Sequence, residues 1–117
     1  MPCRYVKLGW QRVSHRALDP GRSLPQRPVH LHTHEELLSP GEVVPVEIEF
    51  WPFSARFEAG ETLRLVIAGS DIYRREEGVM LPFPMHEDTR NKGAHIFHTG
   101  GERDAVLRLP IVPPLTD

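Results

Sequence analysis

Val44-Pro45-Val46-Glu47-Ile48-Glu49-Phe50 carries an apolar side chain at every second position, and Leu63-Arg64-Leu65-Val66-Ile67 follows it beyond a turn at Ala59-Gly60-Glu61. Successive side chains of a strand point to opposite faces. The first run therefore puts Val44, Val46, Ile48 and Phe50 on one side and Glu47 and Glu49 on the other, as in a sheet with one dry and one wet face. Burying those four would contribute about 6 to 10 kcal/mol before the entropy of ordering them is subtracted. The second run places Leu63, Leu65 and Ile67 inward by the same rule. No stretch of comparable length keeps the spacing of an amphipathic helix. The chain is expected to be all-β. It lacks the strand, Gly-x-Ser-x-Gly and helix sequence with which an α/β hydrolase presents its nucleophile, so it is not expected to cut bonds by itself.

Outward from this pair, Gly9-Trp10-Gln11-Arg12-Val13-Ser14-His15-Arg16 alternates imperfectly and is expected to be a strand anchored by Trp10 and broken at Asp19-Pro20-Gly21. Pro25 and Pro28 push their preceding residues into extended conformations, which predicts a traversing arm from Leu24 to His34. Glu35-Glu36-Leu37-Leu38 is expected to form a single turn, and Ser39-Pro40-Gly41-Glu42 a tight turn ahead of the first clear strand. From Ile72 to Gly93 runs a long charged segment containing Pro82-Phe83-Pro84, the length of a functional or interdomain loop. Ala94-His95-Ile96-Phe97-His98 is a short strand ended by Gly100-Gly101. Ala105-Val106-Leu107-Arg108-Leu109 is the last, with Ala105, Leu107 and Leu109 inward and Pro110, Pro113 and Pro114 stopping it. Four or five strands spaced by long excursions suit a sandwich or barrel, yet five make a thin one with unpaired edges. Further strands are therefore expected outside this sequence.

The chain has 117 residues, the length of one domain, and a domain of this size buries roughly two-thirds of the surface its unfolded chain exposes. Twelve prolines and nine glycines fit a loop-rich β protein. A net charge of -2 with basic and acidic residues interspersed gives no footprint for nucleic acid. No apolar run approaches the ~20 residues that cross a bilayer, so no membrane partner is expected. Cys3 is the only cysteine, which excludes an intrachain disulfide, and no signal peptide is legible; a cytoplasmic setting is expected.

Seven histidines cluster chiefly in Val29-His30-Leu31-His32-Thr33-His34-Glu35-Glu36. On an extended strand His30, His32 and His34 would line one face about 7 Å apart. A cupin-like protein would use such a run to hold a divalent metal, here with His30, His32 and Glu36 and a remote ligand from His86, His95 or His98. Pro82-Phe83-Pro84-Met85-His86 lacks the glycine of a second cupin motif, and histidines exposed or hydrogen-bonded in loops are the alternative. No serine triad is legible. Ser14 and His15 are neighbours facing opposite ways on a strand, and Gly69-Ser70-Asp71 lacks the second glycine of an elbow. Trp10, Phe50, Trp51, Phe53 and Phe57 form either core or a sugar-stacking platform, the latter making a carbohydrate-binding module. Arg12, Arg16, Arg64 and Arg108 read as solvated or strand-pairing charges, and Cys3 has no partner for a reactive role. No catalytic, cofactor-binding or metal residue is assigned, and no cofactor.

Several blocks, in order, carry a resemblance. They are Gly9-Trp10-Gln11-Arg12-Val13-Ser14-His15-Arg16 with Ala17-Leu18-Asp19, then Leu38-Ser39-Pro40-Gly41-Glu42, then Trp51-Pro52-Phe53-Ser54-Ala55-Arg56-Phe57-Glu58-Ala59-Gly60. Leu63-Arg64-Leu65 with Ser70-Asp71, His98-Thr99-Gly100-Gly101 and Leu109-Pro110-Ile111-Val112-Pro113 complete the series. Together the chain resembles the C-terminal domain of the X-prolyl dipeptidyl aminopeptidase and cocaine-esterase (CocE/NonD) hydrolases. The resemblance implies a jelly-roll, galactose-binding-like β sandwich over residues 1–117, packed against an α/β hydrolase domain that holds a Ser-Asp-His triad. That partner in cis would hydrolyse esters, amides or Xaa-Pro peptides. The sandwich would brace it, help wall its cleft or contribute to a homodimer, and no catalytic residue carries over to this chain. Similar members have earlier strands upstream of the Gly9 to Arg16 block, where eight residues stand here, so the chain is expected to be the later, incomplete part of the domain. Such a chain would self-associate or require its missing strands. Sedimentation and thermal scans should show association or non-cooperative melting, and a monomer that melts cooperatively would contradict this.

Overall fold

A computed structural model describes residues 7–69 and 94–113. The chain divides into two units, Met1–Ala59 and Gly60–Asp117.

In the first unit the framework is a folded-back excursion rather than a traversing arm. Leu18 bridges His30 in antiparallel fashion. The amide of Asp19 donates to the Val29 carbonyl at 2.7 Å and that of Leu31 to the Ala17 carbonyl at 2.9 Å. At the tip Leu24 and Arg27 exchange two backbone hydrogen bonds, of 3.0 and 2.9 Å, around Pro25-Gln26. The prolines account for the difference from the expected arm. Pro25 falls at the second position of a four-residue turn, where its fixed φ reverses the chain instead of extending it. Pro28, which has no amide to satisfy, is the one buried position among the described residues. Ser23 locks the interior of the loop, its Oγ accepting from the Val29 amide at 2.9 Å and donating to the Val29 carbonyl at 3.2 Å.

Two expected turns are present with identifiable causes. Asp19 Oδ1 accepts from the amides of Gly21 and Arg22 at 2.9 and 3.1 Å, a side chain standing in for a backbone carbonyl. The Glu42 amide donates to the Ser39 carbonyl at 3.0 Å with Gly41 at φ 80°, which is the third position of a type II turn and needs a residue without Cβ.

The expected strand from Gly9 to Arg16 is interrupted by a 3-10 turn over Val13–His15. The amides of His15 and Arg16 donate to the carbonyls of Arg12 and Val13 at 3.0 and 3.2 Å. Gln11 Nε2 then reaches over the turn to the carbonyls of Arg12 and His15 at 3.0 and 2.8 Å. An alternating pattern with no strong β-branched run yields here to a side chain that binds the backbone locally. Before the turn the chain runs close to residue 49: a Cβ built on Gly9 would strike the Glu49 carbonyl. Position 9 thus serves as a close approach between two backbones.

Residues 44–50 belong to no ladder; of the positions expected inward Val44, Val46 and Phe50 are half-buried, while Ile48, at 39%, is exposed along with Glu47 and Glu49. In the second unit Gly100 bridges Arg103 across a turn that ends the 94–98 segment, with the Arg103 amide on the Gly100 carbonyl at 3.1 Å. Leu107 is 38% exposed against 65% for Val106, the order expected of inward and outward positions. Among the described residues no apolar side chain is fully buried and no helix is long and apolar enough to cross a membrane. The expected loop at 72–93 lies outside the described residues, as does Cys3.

In the protein the amides of Asp19, Leu31 and Glu36 are expected to exchange with solvent more slowly than those of the exposed loops, as read by NMR hydrogen exchange. Ser23→Ala removes a doubly used hydroxyl and should cost about 1 to 2 kcal/mol locally, speeding exchange at Val29 roughly 5- to 30-fold. Unchanged exchange at Val29 would show that the loop is not closed by this side chain.

Candidate functional site

The fold-back brings together side chains that lie far apart in the sequence. His15 Nε2 stands 3.3 Å from Glu35 Oε1, and His15 Nδ1 stands 3.3 Å from His32 Nδ1. The His30 ring follows at 5.9 Å from that of His32, centroid to centroid. Arg12 Nη1 lies 4.0 Å from Glu35 Oε1 at the open edge of the group. Beside it His34 Nε2 meets Glu36 Oε1 at 3.2 Å, and Thr33 Oγ1 meets His34 Nδ1 at 3.0 Å.

The backbone that makes this possible bends at His32, whose φ of 52° is the only positive value outside glycine among the described residues. The extended run expected from His30 to His34 therefore ends at His32: the His30 and His32 rings remain neighbours, while His34 pairs with Glu36. Glu36, the third ligand expected of a cupin centre, is instead taken by Arg16. Arg16 Nη2 lies 3.1 Å from Glu36 Oε2, and Nη1 donates to the carbonyls of Glu36 at 2.6 Å and Val13 at 3.1 Å. With its side chain 13% exposed, Arg16 is a clamp between the 3-10 turn and the 36 region, not the solvated charge expected of it. Among the described residues no group of three His, Cys, Asp or Glu is placed to hold a metal ion. His86 lies outside them, and His95 and His98 belong to the second unit.

A cleft of about 250 Å³ opens on the other side of His30 and His32, bounded by Trp10, Arg12, Glu49 and Trp51. Trp10 packs edge-on against Trp51, ring centroids 5.5 Å apart at 70°. Lys7 Nζ lies 5.5 Å from the Trp51 ring centre, within cation–π range. Trp51 remains 59% exposed, so the two indoles form a wall rather than the interior of a core. The Nε2 of His30 is buried without a hydrogen-bond partner.

Chemically the group contains a carboxylate–imidazole pair, the rear half of a hydrolytic triad. The front half is missing. The ring nitrogen of His15 that would take a proton from a hydroxyl faces His32 instead. Ser14 contributes only its carbonyl here, accepting from the Glu36 amide at 2.7 Å. Sequence reading found His30, His32 and Glu36 but missed His15 and Glu35 as partners. The turn signals at Asp19-Pro20-Gly21 and Leu24-Pro25-Gln26-Arg27, taken as a nested fold-back, would have placed residue 15 near 32.

The family model of the X-Pro dipeptidyl-peptidase C-terminal non-catalytic domain matches residues 3–108, and the chain belongs to that family. No curated protein matches the chain, and no solved structure does.

Arg16→Ala removes a charge-assisted clamp and should cost about 1.5 to 3 kcal/mol, speeding exchange of the Glu36 amide roughly ten- to a hundredfold. Arg16→Lys should recover only part, because an ammonium cannot reproduce the guanidinium fork. Arg12→Ala, at a side chain 72% exposed, should change exchange by less than about 1 kcal/mol. Equal effects at positions 12 and 16 would show that the clamp is not as described.

Proposed function

We propose that the chain is the C-terminal jelly-roll β-sandwich domain of a CocE/NonD-type or X-Pro dipeptidyl-peptidase serine hydrolase. It braces an α/β hydrolase domain and contributes to the wall of its cleft or to a dimer contact. Hydrolysis of esters, amides or Xaa-Pro peptides is carried out by that catalytic domain. The observation that carries this reading is the family match over residues 3–108, whose description makes the domain both C-terminal and non-catalytic.

Two features of the chain support it. Large apolar side chains at alternating positions, among them Leu63, Leu65, Leu107 and Leu109, are exposed in the chain alone and need a covering surface. A domain that packs on a catalytic partner supplies one, since interfaces between domains of one chain are built from such half-covered faces. The His15–Glu35 pair also lacks a hydroxyl in front of it, which suits a supporting role.

The test is reconstitution. The purified chain should release no product from an Xaa-Pro p-nitroanilide or a p-nitrophenyl ester. A hydrolase domain of this family expressed with residues 3–108 fused to it should outlast, at elevated temperature, the same domain without them. Turnover by the chain alone, abolished when one of its own serines is replaced, would overturn the reading. So would an unchanged inactivation half-life.

A further inference from the structure

The pair His15 and His32 is more than two neighbouring rings, because three independent observations converge on the gap between them. The first is distance: the two Nδ1 atoms face each other at 3.3 Å. Two nitrogens bonded to one tetrahedral zinc at about 2.0 to 2.1 Å lie roughly 3.3 Å apart, whereas a right-angled pair on a square-planar or octahedral ion would be drawn in to about 2.9 Å. The second is the outer partner. Glu35 Oε1 stands 3.3 Å from the far nitrogen of His15. A carboxylate there accepts a hydrogen from Nε2, which in a neutral ring leaves the Nδ1 lone pair bare. The third is the backbone: His32 alone among the described non-glycine residues adopts a positive φ. A side chain held in that sparsely populated conformation points to a site where its placement matters.

We propose that His15 and His32 form a two-imidazole site for zinc, coordinated through both Nδ1 atoms, with Glu35 orienting His15 from behind and water completing the tetrahedron. Without the metal, the His32 Nδ1 hydrogen bridges to the bare Nδ1 of His15. On zinc binding that hydrogen moves to Nε2 of His32, so both rings stay neutral and each keeps one proton. Zinc suits the site because it accepts imidazole nitrogen and has no directional demand that the 3.3 Å gap would violate. The pair differs from a cupin centre, which would draw on His30 and Glu36 and leave His15 aside. A two-residue chelate on the surface of a non-catalytic domain would tie the 3-10 turn to the fold-back and leave two coordination positions for ligands from another surface.

The full chain is titrated with zinc chloride, followed by calorimetry and by the imidazole NMR signals. One zinc per chain should bind, and the ring signals of His15 and His32 should shift while those of His34 do not. His15→Ala and His32→Asn should each weaken binding at least about tenfold, Glu35→Gln by roughly 10- to 100-fold, and His98→Ala by less than about twofold. Asn tolerates a positive φ, so His32→Asn removes the ligand and keeps the bend. Should His15→Ala disturb folding, seen as faster exchange at the Leu31 amide, the ring shifts of the unsubstituted protein decide. Absence of saturable binding, shifts spread over all histidines, or equal loss on changing His98 would each overturn the proposal.

Discussion

The antiparallel pairing of residues 17–19 with 29–31 is the constraint on which the rest of the first unit depends. Two short backbone hydrogen bonds, Asp19 to Val29 and Leu31 to Ala17, fix which residues beyond them meet. They put the 3-10 turn opposite residues 32 to 36, and so bring His15 to His32 and Glu35, Arg16 to Glu36, and the Ser14 carbonyl to the Glu36 amide. A register slip of one residue would reverse every one of these side chains. The pairing is protected by chemistry local to the loop: the Asp19 side chain at its entrance, Pro25 at its tip and the Ser23 hydroxyl across its base. None of these depends on a hydrophobic core, which explains how an ordered framework exists where no apolar side chain among the described residues is fully buried.

What the sequence made legible were the elements governed by a short-range rule. Asp19-Pro20-Gly21 and Ser39-Pro40-Gly41-Glu42 are turns because Asp, Pro and Gly each act within three residues of themselves. The period-two pattern of 44–50 appears only in part, at Val44, Val46 and Phe50, because an unpaired segment leaves Ile48 exposed beside Glu47 and Glu49. Elements that depend on a distant partner were not legible. The segment 24–34 has the prolines of an extended arm, and only the exchange of hydrogen bonds between Leu24 and Arg27 makes it a reversal. Arg16 has the look of a surface charge until the carbonyls of Val13 and Glu36 arrive on either side of it. The histidine run shows the same limit: its spacing promised three imidazoles in a row, and with the bend at His32 only His30 and His32 stay side by side while His34 pairs with Glu36.

The family membership gives these observations a common setting. A non-catalytic domain is under no demand to present a nucleophile, and the surplus apolar side chains that would be a liability on a free domain become an asset on one that packs against a partner. On the proposed reading Leu107 and Leu109, both exposed in the chain alone, belong to such a face. The near-neutral charge fits as well, because a strongly charged face would be costly to desolvate against another domain.

The His15–Glu35 pair is where support and chemistry come closest. An imidazole backed by a carboxylate becomes a general base only if its other nitrogen meets a hydroxyl whose proton it can take. Here the fold-back brings a second imidazole to that nitrogen. A second imidazole is no nucleophile for His15 to activate, but it is a good partner for sharing a cation, since two such rings offer two neutral lone pairs at one point and carry no charge that must be neutralised. The arrangement that sets an imidazole rather than a hydroxyl before His15 is therefore the same one on which the proposed zinc site rests. Both follow from the pairing of residues 17–19 with 29–31, which sets the His15 ring against that of His32.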